Sequence, residues 1–98
     1  MIEVTRFRLR EGVDEADFRE ADARYQMEFA YRQPGLLRRT TATSEEGEWA
    51  VIDLWRTPGD ADASRRRASG DPVAQAHAAM VEPASVEAAT YLELDAQP

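Results

Sequence analysis

The chain has no cysteine, which excludes disulfide bonds and thiolate metal sites from the outset. It has no lysine either; apart from His77, every basic side chain is an arginine. With the abundance of alanine, this fits the coding bias of a GC-rich genome and carries no functional information. Long hydrophobic runs are missing as well. The apolar stretches last a few residues, against the roughly 18 that a membrane span requires. Met1-Ile2-Glu3-Val4 passes straight into a strand pattern with no apolar leader, which predicts a cytoplasmic protein with no membrane association. Positive charge is scarce: 12 arginines face 19 acidic side chains, for a net charge of −7. Such a surface repels a phosphate backbone, so nucleic acid is not an expected partner. A phosphate-cradling glycine loop, a dinucleotide fingerprint and a nucleophile elbow are all absent.

What remains is a pattern of secondary structure. With 98 residues there is room for one domain, residues 1–98, whose core is thin enough that oligomerisation is a common remedy. Residues 2–10 alternate as a strand, with Thr5, Phe7 and Leu9 on one face. Asp14 caps a helix whose first turn carries Glu15 and Asp17. Phe18, Ala21, Tyr25 and Phe29 form its apolar stripe, and Gln33-Pro34-Gly35 stops it. Residues 36–43 and 48–56 are two strands joined by the polar turn Ser44-Glu45-Glu46-Gly47. A short helix runs from Pro58 to about Ala68, a second segment runs from Pro72 to about Val81, and residues 86–94 form the last strand. Residues 95–98 read as a loose tail.

The order β-α-β-β-α-β is that of a ferredoxin-like α+β sandwich, with helices on one face of an antiparallel sheet. In the third strand Trp49, Val51, Asp53 and Trp55 share one face, and Ala50, Ile52 and Leu54 share the other. Both faces are apolar, so something must cover each. Placing Trp49, Val51 and Trp55 on the face away from the helices predicts a homodimer closed over them.

These features resemble the antibiotic biosynthesis monooxygenase superfamily of dimeric α/β barrels. The likeness rests on Gln33-Pro34-Gly35-Leu36, on Val51-Ile52-Asp53-Leu54-Trp55, and on Ser69-Gly70-Asp71-Pro72 followed by Gln75-Ala76-His77. The resemblance implies a ferredoxin-like fold and a dimeric barrel. The activities it implies range from cofactor-independent oxygenation of aromatic or polyketide-type substrates to polyketide cyclisation, isomerisation and haem degradation. In the haem-degrading branch a helix histidine binds the iron, and here that position is His77. The branch's first-strand asparagine falls at Thr5 and its tryptophan near Arg67, so two of its three signature residues differ.

His77 and Asp53 are the candidate catalytic acid and base. Imidazole titrates near neutral pH, which suits proton transfer, though a lone histidine on a helix face also serves as a half-buried structural residue. Asp53 sits mid-strand among large apolar groups; there it needs an arginine partner, which Arg6, Arg8 or Arg38 could supply, a hydrogen bond or a chemical role. Thr5, Phe7, Trp55 and Tyr91 are the expected substrate contacts, with the aromatic rings suited to a small aromatic molecule. Trp49 is assigned to packing, and the Arg65-Arg66-Arg67 run to a solvated helix face. No metal site is expected, and haem is the one cofactor left open. The leading expectation is a cofactor-independent oxygenase, with a cyclase or isomerase and a non-catalytic binding dimer as alternatives.

Overall fold

In the computed structural model, which describes residues 1–94, the four strands form one antiparallel sheet in the order β2-β3-β1-β4. They are β1 (Ile2–Phe7), β2 (Leu36–Thr43), β3 (Trp49–Trp55) and β4 (Glu87–Tyr91). The helices are α1 (Glu15–Glu28), α2 (Pro58–Ala68) and α3 (Pro72–Ala78). This is the ferredoxin-like arrangement, with α2 and α3 together in the place of the second helix. Each start is fixed locally. The Asp14 carboxylate accepts from the Ala16 N–H at 2.7 Å, and Thr57 and Asp71 cap α2 and α3 ahead of a proline in the first turn. At the β2–β3 hairpin the Ser44 N–H donates to the Glu48 carbonyl at 2.8 Å, and Gly47 supplies the positive φ of 80°.

Several boundaries differ from the sequence expectation. β1 ends at Phe7; Leu9 makes only an isolated bridge to Val81. α1 ends at Glu28 and is followed by a single 3-10 turn, Ala30–Arg32. α3 stops at Ala78, and β4 stops at Tyr91, leaving Leu92 and Leu94 exposed. The tail expected at 95–98 lies outside the described residues.

The larger correction concerns the faces of the sheet. Phe18 of α1 is fully buried and packs edge-on to Phe7 and Trp49, with ring centroids 5.7 and 4.8 Å away. Trp49, Val51 and Trp55 therefore lie beneath the helices, 4%, 7% and 5% exposed, rather than on the uncovered face. Alternation decides which residues of β3 share a face, but not which face the helices take when both are apolar. The uncovered face carries Ile2, Val4, Ile52, Leu54 and Tyr91.

Candidate functional site

A cavity of about 770 Å³ opens between the sheet and the three helices. Its floor is the helix-side face of β1 and β3: Glu3, Thr5 and Phe7 from one, Val51 and Asp53 from the other. Tyr25 of α1, Arg65 of α2 and His77 of α3 stand around it. The mouth beside α2 is fastened by Arg65, which pairs with both Glu3 and Asp62.

Four ionisable groups meet at one end of this cavity. Asp22 projects from α1 and is 8% exposed; Arg39 projects from β2 and is 6% exposed. The Arg39 guanidinium grips the Asp22 carboxylate with two nitrogens, at 2.7 and 3.3 Å, and gives a further hydrogen bond to the Gln26 side chain at 3.2 Å. Its carbon lies 4.8 Å over the Tyr25 ring. His77 completes the group, with Nε2 2.8 Å from Asp22 Oδ1. Burial opposes the Asp22 charge, but the bonds from His77 and Arg39 prevail and hold the carboxyl well below the usual range. An ionised carboxylate only accepts, so the His77 Nε2 carries the proton in this contact.

Asp53 is the exception in this network. Its Oδ1 is buried, has no hydrogen-bond partner among the described residues, and lies 3.9 Å from the Arg39 Nε. Burial pushes its carboxyl up to about 6; Arg39 offsets part of this, while Glu3 and Asp22 add to it. Such a group is ionised at neutral pH yet retains affinity for a proton, which suits a general base. Tyr25, pushed by burial to about 12, keeps its phenolic proton.

Of the six residues singled out in the sequence, four line the cavity: Asp53, His77, Thr5 and Phe7. Trp55 is buried at the end of β3 and lies outside the cavity wall. Tyr91 pairs with Ile2 on the uncovered face, away from Asp53, because the β1–β4 register puts Thr90 and Ala88 on the cavity side. The partner of Asp53 is also different from those expected. Arg6 binds Glu87, Arg8 donates to the Glu46 carbonyl, and Arg38 faces the other way, leaving Arg39. Sequence reasoning missed both Asp22 and Arg39. Asp22 carried a readable signal: with Phe18, Tyr25 and Phe29 it continues a spacing of four, three and four along the buried stripe of α1.

The contacts of His77 also test haem. Its Nε2 is engaged by Asp22, and its ring lies between Tyr25 and Phe18, with centroids 4.6 and 5.0 Å away. With the Asp22 bond in place, only Nδ1 of His77 is left for an iron.

Comparison with known proteins finds no matching family model and no matching curated relative. Solved structures do match. SnoaB, described as a cofactor-independent oxygenase from Streptomyces nogalater, superposes with a TM-score of 0.77 at 23% identity, over 99% of this chain and 95% of that one. The chain has the fold of the antibiotic biosynthesis monooxygenase-like proteins. Two proteins assigned provisionally to that group also match, from Bordetella bronchiseptica and Nitrosomonas europaea. Their TM-scores are 0.73 and 0.70 at 20% and 21% identity; the matches cover 94% and 95% of this chain and 96% and 97% of those.

Proposed function

We propose that the protein is a cofactor-independent oxygenase that takes an electron-rich aromatic or polyketide-type molecule into the cavity above β1 and β3. The observation that carries this reading is Asp53: a half-buried carboxylate whose Oδ1 is buried without a hydrogen-bond partner among the described residues, on the floor of a cavity with largely apolar walls. The description of SnoaB as a cofactor-independent oxygenase supports it.

In this reading the Asp53 carboxylate removes a proton from a ring carbon activated by a neighbouring hydroxyl or carbonyl. The resulting carbanion gives one electron to dioxygen, and the radical pair joins to form a C–O bond. The peroxide anion recovers the proton from Asp53, and loss of water leaves a carbonyl. A CH₂ group and O₂ thus become a C=O group and H₂O, with one oxygen atom in each product. Phe7 and Val51 exclude water from the carbanion, and His77, fixed by Asp22, borders the same space.

Oxygen uptake with hydroxylated polycyclic aromatics tests the reading. Turnover is expected to fall by about 10²- to 10⁴-fold in Asp53→Asn. In the unaltered protein kcat/KM is expected to rise with pH through about 6, as the base ionises. Full turnover in Asp53→Asn would sink the assignment, and activity without oxygen would favour a cyclase or isomerase.

The uncovered sheet face is the surface for a second copy in this reading. Ile52 and Tyr91 are 40% and 56% exposed there, beside Ile2, Val4 and Leu54. Sedimentation is expected to give a dimer, and Ile52→Arg a monomer.

A further inference from the structure

We propose that Asp22 is a positioning residue for Asp53: its two-pronged grip on Arg39 keeps that guanidinium from hydrogen-bonding Asp53, and so leaves Asp53 an unpaired base. The proposal rests on the reading of Asp53 as the base and adds the device that keeps it available.

The geometry is specific. Arg39 has a side chain only 2% exposed, and within 4 Å it has just two carboxylates among the described residues. Nη1 and Nη2 are committed to Asp22, with Nη1 shared with Gln26, while Nε stops 3.9 Å from Asp53, beyond hydrogen-bond reach. The Tyr25 ring beneath the guanidinium and the His77 bond to Asp22 Oδ1 hold both partners in place. One buried cation thus stands between two acids and is given to the first.

Without the Asp22 charge, Arg39 would be a buried cation with Asp53 as its one counter-ion within 4 Å among the described residues. A small rotation would close the 3.9 Å gap, and Asp53 would become a paired, weakly basic carboxylate. Every helix and the two strands beside β3 present charged or titratable groups toward Asp53. These are Glu3 of β1, Asp22 and Tyr25 of α1, Arg39 of β2, Arg65 of α2 and His77 of α3. Glu3 is already paired with Arg65, so the Asp22–Arg39 pair is the adjustable one. Loss of the Asp22 charge also removes a repulsion that favours the protonated Asp53, which acts in the same direction.

A carboxyl ¹³C NMR titration of Asp53 reads this without any substrate. The unaltered protein is expected to titrate near 6. The Asp53 midpoint is expected to fall by about 1 to 3 pH units in Asp22→Asn, and to rise in Arg39→Gln, where the offsetting cation is gone. Charge removal alone would move the midpoint in the same two directions, so the repositioning is read from a second signal: the Arg39 Nε–H proton resonance is expected to move downfield in Asp22→Asn as it bonds Asp53, and a resonance that stays in place overturns the proposal. A midpoint unchanged or raised in folded Asp22→Asn overturns the proposal. If Asp22→Asn fails to fold, the unaltered protein decides, since a midpoint at or below the ordinary aspartate value near 3.9 means that Arg39 already serves Asp53. The outcomes also separate the two readings. Opposed shifts with full turnover in Asp53→Asn keep the tuning and discard the base; lost turnover with an unmoved midpoint does the reverse.

Discussion

The two ends of the interface between helices and sheet are built from the same elements and do opposite things. At one end Phe18 packs edge-on to Phe7 and Trp49 in an apolar cluster with Val51 and Val81; Phe7, Val51 and Val81 also form part of the cavity wall. At the other, Asp22, Arg39, Asp53 and His77 bury charge beside a cavity. α1 serves both ends, with Phe18 and Asp22 one turn apart. The apolar end gains free energy from every side chain it removes from water. The ionic end gains little, because desolvation of a buried pair consumes most of its Coulomb attraction. Stability is thus concentrated in one half of the interface and chemical potential in the other, and variants should separate them.

Phe18→Ala breaks the apolar end. A fully buried phenylalanine contacting Phe7, Trp49 and His77 leaves a cavity when truncated, and the expected loss is about 3–5 kcal/mol. In a domain of this size the thermal midpoint should drop by more than about 10 °C. A drop of only a few degrees would mean that the cluster collapses around the gap and that the ionic end carries more of the stability than its chemistry suggests.

The next effect lies at the ionic end and has the opposite sign. Asp53 is raised from 3.8 unfolded to about 6 folded. The folded state then holds its proton more tightly than the unfolded one, so stability falls as pH rises from about 4 to about 6, and stays lower above that. The cost at neutral pH is about 3 kcal/mol, since two pH units separate the two values. Asp22 behaves in reverse: its folded value is depressed, so its contribution is present above the unfolded value and is lost only as pH falls below it. The two windows do not overlap. Urea melts of Asp53→Asn are expected to be flat between about pH 4 and about pH 6, with the variant more stable than its parent at about pH 8. A variant that loses turnover and gains stability would show that this carboxylate is kept at a cost. Equal pH slopes in variant and parent would place the titrating group elsewhere.

The elements of the apolar end were legible in the sequence, though not the side of the sheet on which Trp49 and Val51 pack, and the ionic end was only half so. Alternation in β1 and β3, the stripe on α1 and the capping residues Asp14 and Asp71 follow from local rules, and the ferredoxin-like order follows from them. Asp53 was conspicuous as a carboxylate in an apolar strand. Its partner was hidden by a register shift in β2. Leu36 pairs with Trp55 and Arg38 with Leu54, so Leu37 is an extra residue that turns Arg39, rather than Arg38, toward Asp53. Simple alternation from Leu36 assigns the wrong arginine. The misplacement of Tyr91 and the two tryptophans has a different origin. Period two sorts the residues of a strand into two sets, but only the docking of α1 decides which set is inside.

The smallest expected effect probes the boundary between the two ends, where His77 lies between Phe18 and Tyr25. α3 has only seven residues, so its cap satisfies a large share of its backbone donors. The Asp71 carboxylate supplies that cap, with Oδ1 accepting from the Val73 and Ala74 N–H groups at 2.9 Å each. Asp71→Ala leaves both donors without this acceptor and should cost about 1 kcal/mol, while Asp71→Ser should restore most of it. The corresponding shift in thermal midpoint is about 4–8 °C. If the ends are independent, the Asp53 titration should stay where it was, because the two bonds from Arg39 to Asp22 join α1 to β2 directly and the His77 bond from α3 is an additional support. If Asp71→Ala moves that titration as far as Asp22→Asn does, His77 is a working member of the clasp, and the anchorage of α3 sets the chemistry as well as the stability.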